Sequence, residues 1–150
     1  MLAKDIMTHQ VVTVTPDMLV PEVAKLLIEH KISGVPVVNA DHELIGIVSE
    51  GDLISKEANL KTPPVLSLLG GFIYLESPNR FETELRKVTA VRVKDMMTKK
   101  VIAVSEDTPV SEVASIMVEK RINRVPVLRR KKLVGIITRA DIVRSFIAGD

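Results

Sequence analysis

With 150 residues, 46% of them hydrophobic, the chain can form one ordinary domain or two very small ones around a true core. A charged fraction of 27% argues against disorder, and a net charge of +2 gives no strong attraction to nucleic acid. The chain has no cysteine, which excludes disulfides, thiolate metal sites and cysteine nucleophiles.

The N-terminal residues MLAKDIMTHQ lack the apolar region of a signal peptide. The longest apolar run, at residues 65–75, is much shorter than the roughly 20 residues that span a bilayer. These features predict a cytoplasmic protein with no membrane span.

The first third of the chain predicts a strand, a helix, two strands and a second helix. The β-branched run VVTV at 11–14 predicts the first strand, and GVPVVN and LIGIVS predict two more around the turn ADHE. VPEVAKLLIEH predicts a helix with Pro21 in its first turn and one apolar stripe, formed by Val20, Val23, Ala24, Leu27 and Ile28. The final helix is predicted to start near Asp52.

Residues 56–93 form a long connection. KTPPVLSLLGGFIYLES is apolar and interrupted by proline and glycine, and SPNRFETELRKV predicts a short helix with Pro78 at its first position. Because a flexible linker would be polar, we expect an ordered insertion that covers the module or a partner. The alternative is a local patch on the protein's own core.

The remaining chain repeats the first third. The segment from Lys4 aligns with the segment from Lys94, and the residues are identical at close to half of the positions. When one residue is deleted in a turn of the second copy, GIVSEGD also aligns with GIITRAD. The second copy of the helix carries the same stripe, formed by Val110, Val113, Ala114, Met117 and Val118. A unit of about 55 residues is marginal alone, so the two copies are expected to pack on each other.

The repeated motif places a hydroxyl residue three positions before an aspartate, with Ser49 and Asp52 in one copy and Thr138 and Asp141 in the other. This spacing is typical of a capping box at a helix N-terminus, which is a sufficient explanation for either copy alone. A helix N-terminus also attracts anions, and an aspartate beside it can accept hydrogen bonds from ribose hydroxyls. The second interpretation predicts a nucleotide.

With MT near the start, VPVV or VPVL in the middle and these motifs at the end, the two units resemble a tandem pair of cystathionine β-synthase (CBS) domains, the Bateman module. The resemblance covers residues 4–55 and 94–147. It implies an α+β fold of two β-α-β-β-α repeats that pack through their sheets with pseudo-twofold symmetry. The corresponding domains are a first repeat at 1–55, the insertion at 56–93 and a second repeat at 94–150.

The resemblance also implies clefts between the repeats that hold AMP, ADP, ATP or S-adenosylmethionine as a regulatory ligand, with no other cofactor. Asp52 and Asp141 would bind ribose, and Ser49 and Thr138 would lie beside the ribose or phosphate. The adenine would be lined by residues around the first strand of each repeat, namely Thr13 and Val14 in one and Ala103 and Val104 in the other.

The positions before VPV are expected to contact phosphate, and here the two repeats differ. They are Ser33 and Gly34 in the first repeat, and Asn123 and Arg124 in the second. Glycine cannot reach a phosphate, whereas Arg124 could form a bidentate charge-assisted pair. The alternative for Arg124 is a solvated surface arginine.

Other function classes have little support. The basic run RRKK at 129–132 has no interleaved aromatic residues, which argues against a nucleic-acid partner. His9, His30 and His42 are too scattered for a metal site, and no phosphate-loop or nucleophile motif is present. We therefore predict no metal ligands and no catalytic residues, and expect the protein not to be an enzyme.

Two functions remain open. The first is a stand-alone regulatory module that binds an adenosine compound and signals to an unknown partner protein. The second is a dimeric structural or interaction module without a small-molecule ligand. The resemblance implies a homodimer in either case, to which the apolar residues 65–75 could contribute a further surface.

Overall fold

The structure is a computed structural model in which residues 1–55 and 91–148 are described. Its elements confirm the predicted α+β class. In chain order they are α1 (Ala3–Ile6), α2 (Val20–His30), β1 (Gly34–Val38), β2 (Leu44–Ser49), α3 (helical residues 50–55), α4 (Val93–Met96), β3 (Val104–Ser105), α5 (Val110–Lys120), β4 (Arg124–Arg129), β5 (Lys132–Thr138) and α6 (Arg139–Ala148). The predicted ordered insertion at 56–93, with the apolar residues 65–75, lies outside the described residues except for its last three positions.

The strands form two small sheets. One pairs β1 with β2, and the other has the order β3-β4-β5. In the second sheet β3 is parallel to β4, and β4 is antiparallel to β5 with Arg124 opposite Thr138. The turn between β4 and β5 places Arg130 and Lys131 at φ 50° and 70°, the left-handed backbone that a two-residue hairpin requires.

The predicted strand at 11–14 is wrong. Within those residues only Val14 forms an isolated bridge, and the corresponding strand of the second repeat, β3, has two residues. Pro16 stands where the second repeat has Glu106, and proline has no N–H to donate to a ladder. Because the ladder is so short, loss of one donor is enough to reduce it to a bridge.

The apolar stripes of α2 and α5 are only partly buried. Val23 and Leu27 are buried on α2, as are the equivalent Val113 and Met117 on α5. The last residues of the two predicted stripes, Ile28 and Val118, are each 77% exposed. The helical period therefore predicted the correct face but not the extent of its cover.

The two compact units of the chain do not coincide with the two repeats. One unit comprises Met1–Thr13, Pro36–Gly46 and Lys99–Asp150, and the other comprises Val14–Val35 and Ile47–Thr98. Each unit therefore contains the opening segment of the opposite repeat. The short helices α1 and α4, which the sequence analysis did not predict, belong to these exchanged segments.

The segment with α1 is bound into the unit that holds most of the second repeat. The N–H of Ala3 donates to the carbonyl of Thr108 at 2.7 Å, and Lys4 forms an ion pair with Asp107 at 3.2 Å. Farther along, the N–H of Thr8 donates to the carbonyl of Ile136 at 2.8 Å.

The segment with α4 makes the equivalent contacts in the other unit. The N–H of Val93 donates to the carbonyl of Met18 at 2.9 Å, and Lys94 pairs with Asp17 at 3.5 Å. Thr98 donates to the carbonyl of Ile47 at 2.9 Å. The Met-Thr pair that opens each repeat is thus paired with the Gly-Ile motif of the opposite repeat.

Gly135 allows one of these exchanged segments to approach closely. A Cβ atom at this position would lie 2.4 Å from Sδ and 2.7 Å from Cγ of Met7. Met7 and Ala3 are buried in one hydrophobic cluster with residues of β4, β5, α5 and α6. The glycine in GIITRAD therefore provides the space in which Met7 packs.

Candidate functional site

The hydroxyl–aspartate motif of the first repeat forms the predicted capping box. Oδ2 of Asp52 accepts hydrogen bonds from the N–H of Ser49 at 2.9 Å and from its hydroxyl at 3.0 Å. In return, Oγ of Ser49 accepts the N–H of Asp52 at 3.2 Å. Ser49 ends β2 and caps α3, so the strand-to-helix turn holds the carboxylate in place.

The second repeat forms the same box with one additional contact. Oδ2 of Asp141 accepts hydrogen bonds from the N–H of Thr138 at 2.9 Å and from its hydroxyl at 3.1 Å. The other carboxylate oxygen, Oδ1, accepts a hydrogen bond from Nη2 of Arg144 and forms an ion pair with it. Asp141 is 5% exposed, whereas Asp52 is only half-buried.

The structure brings the predicted phosphate-contacting positions of the second repeat next to its capping box. Arg124 begins β4 directly opposite Thr138 at the end of β5, and the N–H of Arg139 donates to the carbonyl of Asn123 at 3.3 Å. The first repeat has the equivalent bond, from the N–H of Glu50 to the carbonyl of Ser33 at 2.8 Å. In each repeat the start of one strand therefore adjoins the N-terminus of a helix.

The predicted adenine positions lie farther along the strands. Val104 is buried on β3 opposite Val127, three residues along β4 from Arg124, and Ala103 just before it is half-buried. In the first repeat Val14 is buried and Thr13 is half-buried. A buried valine beside a half-exposed neighbour is compatible with an apolar surface against which adenine could lie. The adenine-binding role of these four residues remains a prediction.

The sequence analysis missed Arg144. It lies three residues after Asp141, a spacing that places two side chains next to each other on one face of a helix. The position equivalent to Arg144 in the first repeat is Ser55, which has no charge. Comparing the two copies beyond the aspartate would have revealed this difference.

The family model of the CBS domain matches residues 3–59 and 93–148. The chain belongs to the CBS domain family. It carries the domain twice, as the tandem pair called a Bateman module, in agreement with the resemblance.

Two sequence relatives illustrate the range of CBS proteins that this pair resembles. It is 34% identical to the uncharacterized protein MJ1426 of Methanocaldococcus jannaschii, over 98% of this chain and 92% of that protein. It is 35% identical to the chloroplastic CBS domain-containing protein CBSX1 of Arabidopsis thaliana, over 88% of this chain. The matching region spans 57% of CBSX1.

Solved structures of other CBS pairs have the same fold. CBSX2 of Arabidopsis thaliana in complex with AMP matches 98% of this chain and 96% of its own, with a TM-score of 0.74 and 27% identity. The CBS pair of MJ0100, in complex with 5′-methylthioadenosine and S-adenosylmethionine, aligns with 100% of this chain and 98% of its own chain, with a TM-score of 0.70 and 27% identity.

Features outside the capping boxes give little indication of other chemistry. No helix among residues 1–55 and 91–148 is long and apolar enough to cross a membrane, and no group of acidic and histidine residues there could hold a metal ion. In the basic hairpin, Arg129 forms two hydrogen bonds to Glu106, at 2.6 and 2.8 Å, and holds the pKa of that carboxyl below its usual value. At least one cation of RRKK is therefore engaged within the protein.

Proposed function

We propose that this CBS pair binds an adenosine nucleotide or derivative at the helix N-termini marked by Asp52 and Asp141, and that the ligand regulates a partner protein. The observation that carries the proposal is that only one oxygen of each carboxylate accepts the hydrogen bonds of the capping box. Oδ2 alone serves the capping box in both repeats, so the cap and a ligand do not compete for the same atom.

Each site offers two complementary groups. The second carboxylate oxygen can accept hydrogen bonds from ribose hydroxyls, and the N-terminus of the helix attracts the negative charge of a phosphate. In the second repeat, Arg124 begins its strand opposite Thr138 and can supply a cation to the same phosphate. The bound AMP, 5′-methylthioadenosine and S-adenosylmethionine of the related structures share the adenosine that this arrangement would recognise.

The test is a thermal-shift titration with AMP, ADP, ATP and S-adenosylmethionine. A ligand that binds only the native state stabilises it by about 2.7 kcal/mol when present at about 100 times its dissociation constant. For a chain of this length we expect the melting temperature to rise by roughly 5 to 10 °C for at least one of these compounds. Asp52→Asn or Asp141→Asn should remove most of that shift.

Asparagine retains the shape of aspartate but lacks its charge, so it also weakens the helix cap. Melting temperatures without ligand measure that loss separately. Shifts that persist unchanged in both variants would show that the aspartates are helix caps only. If no compound shifts the wild type, and mass spectrometry of the denatured protein finds no released ligand, the proposal fails in favour of an interaction module.

A homodimer, expected for either function, has support of its own in two equivalent apolar grooves. One lies between α2 and α3, the other between α5 and α6, and each is lined by the exposed end of an apolar stripe. Apart from Ile32, which lines only the first groove, their apolar lining residues correspond pair by pair between the repeats: Ala24, Leu27, Ile28, Leu53 and Ile54 in the first, and Ala114, Met117, Val118, Ile142 and Val143 in the second.

We propose that a second copy of the chain covers these grooves in a homodimer. A twofold axis brings surfaces of one chain onto matching surfaces of another, and apolar surfaces that occur in both repeats suit such an interface. The strongest support is the 77% exposure of both Ile28 and Val118, since side chains of this kind usually find cover.

Light scattering at micromolar concentration should give about twice the chain mass of 16.5 kDa. Val118→Lys should shift the protein toward the monomer, because a lysine in an apolar interface must be desolvated without a partner. Ser115→Lys is the matched control, since it adds the same charge at an exposed position of α5 outside the groove. A wild type of monomer mass, or equal effects of both substitutions, would contradict this interface.

A further inference from the structure

The two aspartates that we assign to ribose differ in what surrounds them. The side chain of Asp141 is 5% exposed, and its Oδ1 is engaged by the guanidinium of Arg144. Among residues 1–55 and 91–148, by contrast, the side-chain hydrogen bonds of Asp52 all run through Oδ2. The atom that ribose needs is therefore covered by a cation in the second repeat.

The cover is built from a single residue that the first repeat lacks. Arg144 lies one helical turn after Asp141, and its own side chain is 67% exposed. The equivalent residue, Ser55, is too short to reach around a turn and has no charge to offer. The capping boxes have the same hydrogen-bond pattern, so among the described residues this position accounts for the different engagement of Oδ1.

We propose that Arg144 determines the order in which the two sites are occupied, by competing with ribose for Oδ1 of Asp141. The inference rests on the proposed function, since it concerns the same carboxylates. Ligand binding at Asp141 must first break the Arg144–Asp141 pair, and Asp52 has no equivalent pair among residues 1–55 and 91–148. The Asp52 site therefore fills at a lower concentration, and the Asp141 site responds only when the ligand is more abundant.

An exposed arginine is well suited to this role. Its partial exposure lets water and salt screen the ion pair, so the pair is weak enough for a ligand to displace it. The result is a difference in affinity between the sites rather than closure of one of them.

The experiment isolates each site and exchanges the two residues. In protein carrying Asp52→Asn, which leaves the Asp141 site, adding Arg144→Ser should tighten binding of AMP and of adenosine by roughly two- to fivefold, the range of a weak ion pair whose cation is exposed. In protein carrying Asp141→Asn, adding Ser55→Arg should weaken both ligands at the Asp52 site by a similar factor. Isothermal titration calorimetry measures each dissociation constant, and circular dichroism verifies that the variants are folded.

Three results would overturn the inference. Unchanged affinity after Arg144→Ser would show that the ion pair does not compete with ribose. Weaker AMP binding with unchanged adenosine binding would instead make Arg144 a phosphate ligand. Absence of binding at the Asp141 site even with Arg144→Ser, while the Asp52 site binds, would show that Arg144 does not control that site. Absence of binding to the wild type by any adenosine compound is a different outcome, because it removes the proposed function itself.

Discussion

Gly135→Ala is expected to destabilise the protein by about 1 to 3 kcal/mol, the usual cost of adding atoms to a packed core. The added Cβ would lie 2.4 Å from Sδ of Met7 and 3.1 Å from its Cβ, so the side chain cannot escape by moving its tip alone. Met7 belongs to the exchanged N-terminal segment, and its displacement would disturb the pairing of Thr8 with Ile136. Urea unfolding of the variant and the wild type measures the difference.

A double-mutant cycle separates this contact from a general intolerance of alanine. Met7→Ala alone should cost roughly 2 to 5 kcal/mol, because it leaves a cavity in the core. Combining it with Gly135→Ala should cost less than the sum, since the new Cβ occupies part of the vacated space. Strictly additive effects would mean that the two residues do not share that space.

Gly51→Ala is the control within the same motif of the other repeat. Gly51 is helical, and among the described parts of the chain a Cβ atom there would meet only Oγ of Ser49, at an ordinary 3.6 Å. Because alanine forms helices more readily than glycine, this substitution should leave stability unchanged or raise it by up to about 1 kcal/mol. The two glycines should therefore respond with opposite signs.

Arg124→Ala should weaken binding of AMP or ATP by about 1.5 to 3 kcal/mol, the scale of hydrogen bonds to charged groups, and should change adenosine binding little. The reason is positional: Arg124 lies opposite Thr138, at the helix N-terminus where a phosphate would be held. Calorimetric titration with each ligand distinguishes a phosphate contact from an effect on the fold.

Lys120→Ala provides the comparison for Arg124. It removes the same charge from the exposed last turn of α5, so it tests whether net charge alone attracts the nucleotide. Equal losses for AMP and adenosine in the Arg124 variant would instead indicate that this arginine supports the structure. Equal losses in both variants for AMP would point to long-range attraction.

Much of the fold was predictable because the information is local and occurs twice. The duplication, the order of the main helices and strands and the two capping boxes all follow from spacings of a few residues. A capping box needs only four consecutive positions, so Ser49–Asp52 and Thr138–Asp141 could be found without knowledge of the rest. The strand prediction at 11–14 was wrong because it considered only the β-branched run itself. Pro16, just beyond that run, has no N–H to donate to the neighbouring strand.

The sequence proposed the residues of the candidate site and the asymmetry between Gly34 and Arg124, but not the asymmetry between the two aspartates. The family resemblance pointed to the two aspartates and to Arg124, and the fold brings Arg124 beside Thr138. The contact of Arg144 with Asp141 depends on the rotamer that a long side chain adopts, and sequence spacing only permits it. The difference between the two carboxylates therefore emerged only from the side-chain geometry.

By itself the sequence determined that this protein contains two copies of one α+β unit, because each copy encodes its own helical period, turns and caps in neighbouring residues, and the repeated motifs carried the resemblance to CBS domains. Only the tertiary structure showed that the opening segment of each repeat packs in the compact unit that holds most of the other repeat. It also showed that the missing side chain of Gly135 leaves the space in which Met7 packs. These residues are far apart in the chain, and no local pattern specifies which distant surface a short segment will cover. Their partnership is set by the shape and volume of the folded core.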